Sequence, residues 1–289
     1  MKIKGFLITG IIFAVCGIGM TAVASTQIDF NEEVNGLFSD PTLEEKEQTF
    51  GEIVKIHYDG ADENIDIVYQ EGENTFTYYE GKSVSYEIQY DEELKELSIV
   101  QNRSLTFFTF YINKKKAVLS INSPLEGLGI NAAAGNVGLR NLTVSETTLD
   151  VNAGNLKIEN SNLSSLSIKS SAGNVTINSV HTDIGKIEAK AGNLRIENSN
   201  IDNATILANA GNVRILDSIF TTIYAKLNAG NLSLAGDILF YGELKLDAGN
   251  MNMTLARSRS LYTINGEGSA DTQILYKVSA GNVKVGFGE

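Results

Sequence analysis

One triplet, Ala-Gly-Asn, recurs eight times in the second half of the chain, and its spacing leaves few folds open. It stands as Ala134-Gly135-Asn136, Ala153-Gly154-Asn155, Ala172-Gly173-Asn174 and Ala191-Gly192-Asn193, then as Ala210-Gly211-Asn212, Ala229-Gly230-Asn231, Ala248-Gly249-Asn250 and Ala280-Gly281-Asn282. The first seven copies lie 19 residues apart without a slip, and the last interval is 32. A fixed period near twenty marks a solenoid, in which each repeat is one turn that buries its apolar face only by stacking on its neighbours.

The period reads column by column. One and three residues after each Asn stand apolar pairs, such as Val137/Leu139, Leu156/Ile158, Val175/Ile177 and Leu194/Ile196. That alternation predicts a strand with one buried face. A polar turn follows at Asn160-Ser161, Ser179, Asn198-Ser199 and Asp217-Ser218, then a second strand with Ile168, Ile187, Ile206 and Leu227 inward. The triplet glycine is expected to supply a positive φ at a sharp corner, and the alanine before it to fit inside that corner. The asparagines are expected to stack their amides from rung to rung, as in ladders of stacked β structure, or to make a local turn bond. Calcium-binding β-rolls carry Gly-Gly-x-Gly-x-Asp repeats; here Ala replaces the first Gly and no Asp recurs two residues after a Gly, so no metal or other cofactor is expected.

Ahead of the repeat the chain divides by charge. Residues 27–126 hold 21 acidic and 8 basic side chains, while residues 127–289 hold 14 and 13. The reading is an N-terminal membrane segment at 1–26, an acidic stalk at 27–49 with a helical turn near 42–48, a small β module at 50–126, and the solenoid at 127–289 with an insertion at 251–279. Within the module, short runs rich in Ile, Val, Tyr and Phe are bounded by turn residues. Glu71-Gly72-Glu73-Asn74 and Glu80-Gly81-Lys82 read as hairpin connections.

Lys2 and Lys4 precede an uncharged run at residues 5–24, about one hydrocarbon thickness as a helix. The positive charges keep the N-terminus cytoplasmic and place the remainder outside. Ala22-Val23-Ala24 before Ser25 fits signal-peptidase cleavage, which would release the protein as a secreted one. The length of the run favours an uncleaved single-pass anchor. Cys16, the one cysteine, excludes an internal disulfide.

The hydrophobic N-terminal segment, the alternating strands of 50–121, the segment VLSINSPLEGLGINAAAGNVGL (118–139), the repeated A-G-N-[VL]-x-[IL] and the closing AGNVKVGFG (280–288) together resemble the bacterial putative-adhesin family, a β-strand-repeat domain of unknown function that includes LiaG-like envelope proteins. The resemblance covers nearly all of the ectodomain. It implies a membrane-attached, surface-exposed β-helical domain, often found with envelope-stress operons, and carries over no catalytic residues.

These readings converge on an all-β chain: a β-solenoid (β-helix) of about eight 19-residue rungs, preceded by a small β module and an N-terminal transmembrane or signal helix. The expected role is non-enzymatic binding or adhesion at the bacterial envelope, to an envelope protein or a cell-wall polymer. The alternative is a regulatory or sensor partner of a membrane protein, and a β-helix carbohydrate-active enzyme is a weaker one. Against an enzyme, six consecutive repeats carry no insertion, and His57 and His181 lack a nucleophile motif. A net charge of −12 argues against nucleic acid.

Candidate ligand contacts are Arg257, Arg259 and Tyr262, because insertions in solenoids often form binding loops. An irregular terminal rung, which solenoids need as a cap, accounts for them better. The outward Lys157, Arg195 and Arg214 beside Glu159 and Glu197 suit an anionic polymer or, more simply, a solvated face. Lys114-Lys115-Lys116 reads as a basic hairpin tip.

Overall fold

The computed structural model describes residues 42–103 and 115–288, and Phe38–Glu289 fall into one compact unit. The anchor at 5–24, Cys16, the Ala24–Ser25 bond, the stalk up to residue 41 and Lys114 lie outside the described residues. Among the described residues no helix is long and apolar enough to cross a membrane.

The first strands in the chain are β1 (Glu44–Phe50), β2 (Lys55–Gly60), β3 (Asn64–Tyr69), β4 (Asn74–Glu80), β5 (Val84–Asp91), β6 (Glu96–Arg103) and β7 (Lys116–Ile121). The repeat proper holds β8 (Leu125–Ala132), β9 (Val137–Arg140), β10 (Thr143–Ala153), β11 (Leu156–Ala172), β12 (Val175–Ala191), β13 (Leu194–Glu197) and β14 (Asn200–Ala210). It closes with β15 (Val213–Ala229), β16 (Leu232–Ala248), β17 (Met251–Leu255), the two-residue β18 (Thr263–Ile264), β19 (Gln273–Ala280) and β20 (Val283–Phe287).

From β8 onward every pairing is parallel and almost every register step is one repeat: Val137 faces Leu156, which faces Val175, then Leu194, Val213 and Leu232. Each of these side chains is 1% exposed, so the inward file is continuous. Burying an aliphatic side chain of this kind is worth about 1.5–3 kcal/mol, the main term holding rung to rung. The β-solenoid follows directly from the alternation seen in the sequence.

The first half of the chain departs from the expected module. Strands β2 and β3 form a rung of the same solenoid, sandwiched out of sequence order: β2 pairs in parallel with β6 on one side and β8 on the other, and β3 with β7 and β9. Strand β8 spans both sides of the 126/127 boundary. Residues 44–49, expected in the stalk near a helical turn, form β1 together with Phe50, antiparallel to β4. Alternating Glu45 and Glu47 with Tyr79 and Thr77 across the pair satisfies carboxylates that helical spacing would leave in solvent.

Neither expected hairpin forms, since both edges of β3 are taken by β7 and β9, and β4 pairs with β1 and β7. Among the described residues of this region, an antiparallel hairpin joins β5 to β6. Its turn is held by Asp91 Oδ1, which accepts from Glu93 N–H and Leu94 N–H, each at 2.9 Å, with Lys95 at φ 53°.

Candidate functional site

The corners of the rungs are the first feature to resolve. All eight triplet glycines have φ between 94° and 139°, the left-handed side that favours glycine. A second constraint is steric. A Cβ on Gly173 would stand 1.7 Å from the carbonyl oxygen of Gly154, and the same backbone contact recurs up the file. The triplet alanines at 153, 172, 191, 210, 229 and 248 are exposed, contrary to the expectation that they fill the corner; the close approach is borne by glycine backbone, and alanine ends the strand facing out.

The asparagines form the expected ladder. Each Oδ1 accepts two bonds from the next asparagine, its backbone N–H and its Nδ2, as from Asn193 to Asn174 at 3.2 and 3.0 Å. The ladder runs through Asn136, Asn155, Asn174, Asn193, Asn212, Asn231, Asn250 and Asn282. It begins one rung earlier, at Asn64, whose Oδ1 takes Asn136 N–H at 2.9 Å and Nδ2 at 2.8 Å. Asn64 was not among the sequence candidates. The signal was present, because Asn64-Ile65-Asp66-Ile67 shares the Asn-apolar-x-apolar alternation, but 72 residues separate it from Asn136 and Asp62-Glu63 replaces Ala-Gly.

A second file closes the opposite corner. Asn141, Asn160, Ser179, Asn198 and Asp217 all take φ between 46° and 58°, which short polar side chains tolerate best. The serines that follow turn inward: Ser199 Oγ accepts Val180 N–H at 3.1 Å and donates to the Glu197 carbonyl at 2.6 Å.

Residues 256–272 leave the ladder between β17 and β19, a narrower break than 251–279. They are tied down by their own side chains. Tyr262 is 0% exposed, and its hydroxyl donates to Asp237 Oδ1 at 2.6 Å. Arg257 donates from Nε to Asp237 Oδ1 at 3.0 Å, forms an ion pair with Oδ2 at 2.8 Å, and donates from Nη2 to the Ile238 carbonyl at 2.6 Å. Arg259 donates to the Tyr262 and Glu267 carbonyls and lies 5.6 Å over the Phe287 ring. Burial, followed by the bond to Asp237, pushes the Tyr262 hydroxyl above its ordinary value. The polar groups of Tyr262 and Arg257 thus fasten the segment to β16, and β18 pairs with the start of β19.

The remaining candidates sit apart. Lys157 pairs with Glu159 at 2.8 Å and Arg195 with Glu197 at 2.5 Å, on a solvated face where such pairs contribute about 0–1 kcal/mol. Lys116 binds Asp66 at 2.5 Å, and Lys115 lies 4.9 Å over the Tyr79 ring. His181 meets Asp183 at 3.6 Å, both more than half exposed. Among the described residues no three His, Cys, Asp or Glu side chains gather to hold a metal. A shallow cleft of about 540 Å³ lies between Phe50, Glu52, Glu73 and Asn122. Its Asn74 and Asn122 amides donate to the Gly51 and Gly72 carbonyls, each at 2.6 Å.

The geometry defines a parallel β-solenoid with files of recurring corner residues. The chain belongs to the Toastrack DUF4097 family, whose model matches residues 53–286. Its fold is similar to the crystal structure of a putative adhesin from Bacteroides fragilis NCTC 9343, at 14% identity and a TM-score of 0.47, covering 85% of this chain and 98% of that one. A putative adhesin from Parabacteroides merdae ATCC 43184 (14%, TM-score 0.39) is covered over 98% of its length and 85% of this chain. A putative cell adhesion protein from Clostridium sporogenes ATCC 15579 (11%, TM-score 0.28) is covered over 99% of its length, again with 85% of this chain. No curated protein sequence matches the chain.

Proposed function

We propose that the protein is a non-enzymatic binding domain displayed on the outer side of the cell envelope, held there by residues 5–24 as a single-pass anchor and engaging an envelope protein or a cell-wall polymer. The observation that carries this reading is the nine-asparagine ladder, which holds outward side chains in files one rung apart, about 4.8 Å. Such a lattice suits contact with an extended or repeating partner. Lys2 and Lys4 ahead of the apolar run set the orientation.

The test is retention of the full-length chain on isolated cell wall and on envelope membranes. The reading predicts retention by at least one, and loss of both would contradict it. Intact mass of the membrane-extracted protein tests the anchor, since cleavage after Ala24 removes the first 24 residues.

A further inference from the structure

One outward file changes character along the solenoid. In register it reads Asp150, Lys169, Glu188, Leu207, Lys226, Lys245, Lys277. Its first three members alternate in sign, so Lys169 has a carboxylate on each side. Its last three are all cationic, and neighbours in a ladder stand about 4.8 Å apart. Like charges placed side by side in a sheet destabilise it.

Lys245 is partly compensated by Glu243 at 2.5 Å and by the Tyr224 ring at 5.5 Å. Lys226 and Lys277 are exposed, and among the described residues neither has a carboxylate within ion-pair distance. Their neighbours two positions along the same face are Tyr224 and Asn228, and Leu275 and Ser279. From Ser165 to Ser279 the outward positions of this face hold six lysines against Glu188, Glu243 and Asp247, in a chain whose net charge is −12. The concentration of cations is therefore local.

We infer that the Lys226–Lys245–Lys277 file is a binding track for a linear polyanion lying along the solenoid axis, with Tyr224 and Tyr241 as flanking contacts for the uncharged part of its repeat. This deepens the display reading and rests on it. An anionic chain laid on the file neutralises Lys226 and Lys277, which have no carboxylate within ion-pair distance among the described residues, and adds to the partial compensation of Lys245 between them. The alternating stretch Asp150–Lys169–Glu188 offers the same polymer no such gain.

The test uses the full-length chain with three probes: long-chain polyphosphate, poly-glutamate and neutral dextran. The polyphosphate and poly-glutamate arms distinguish phosphate from carboxylate as the recognised charge. The account expects binding to at least one polyanion, weakening as salt rises, and none to dextran. The double variant K226S/K277S should weaken that binding at least tenfold, while K169S/K186S, with the same loss of charge on the same face, stays within twofold. Equal weakening by the two pairs, or no polyanion binding by the parent, overturns the proposal. If K226S/K277S is retained on isolated envelope as well as the parent is, the track fails while the display reading stands; if the parent itself is not retained, the display reading fails.

Discussion

Gly192 stands so close to Gly173 that a Cβ on the first would lie 1.8 Å from the carbonyl oxygen of the second, and its φ is 115°. Both facts forbid a side chain, and the atom in the way is backbone, which cannot rotate aside. Gly192→Ala is expected to destabilise the protein by about 3 kcal/mol or more. Gly72→Ala, at φ 124° with open space around it, should cost only about 1 kcal/mol. Thermal or urea unfolding of the two variants checks the difference; equal losses would show that close stacking is not what the corner requires.

The asparagine ladder predicts a dependence on position. Asn193 donates to Asn174 Oδ1 and accepts two bonds from Asn212, whereas Asn282 only donates, to Asn250. Asn193→Ala should cost about 1–2 kcal/mol and Asn282→Ala less than half of that, since water reaches both sites. Denaturant midpoints at constant slope provide the comparison.

Glu63 is 2% exposed, and neither of its carboxylate oxygens has a hydrogen-bond partner among the described residues. Burial pushes its carboxyl up from 4.5 to about 8. Below pH 4.5 both folded and unfolded chains hold the proton. Between about 4.5 and 8 only the folded chain does, so stability falls as pH rises, by about 1.4 kcal/mol per pH unit for this one group. Above pH 8 the loss levels off. Glu63→Gln should flatten stability across that window; an unchanged slope in the variant would remove Glu63 as the cause.

The fastening of residues 256–272 to β16 makes a separate prediction. Removing Arg257 leaves Asp237, whose side chain is 11% exposed, without its cation. Arg257→Ala should therefore cost about 2–3 kcal/mol, below the full price of a buried pair because Arg257 is itself 30% exposed. Tyr262→Phe keeps the ring and the ion pair and should cost about 1 kcal/mol. Hydrogen exchange should show faster opening of 256–272 in the first variant, with the rungs before β16 unaffected.

The solenoid was legible because its order is local: period, alternation and corner chemistry all fall within nineteen residues. What escaped was non-local. The insertion of β2 and β3 between β6/β7 and β8/β9 leaves no trace in periodicity, since their partners lie far along the chain, and Asn64 was hidden with them. Tyr262 looked like an exposed aromatic in an insertion because nothing in its neighbourhood reveals that Asp237, 25 residues away, takes its hydroxyl. The lysine file keeps the nineteen-residue period from Asp150 to Lys245, because the register shifts at Leu216/Ser218 and Phe220/Thr222 cancel, and reaches Lys277 through the 32-residue last interval.

Spin-label distances along one outward file test the stacking most directly. Lys157, Thr176, Arg195, Arg214, Ser233 and Asn252 are successive partners in register. With Cys16 replaced by Ser, labels at 157 paired with 214, 233 or 252 should give mean separations rising by about 4.8 Å per rung, near 14, 19 and 24 Å before the label arms are added. Separations that fail to rise in equal steps would contradict superimposed nineteen-residue turns, and with them the display surface and the polyanion track.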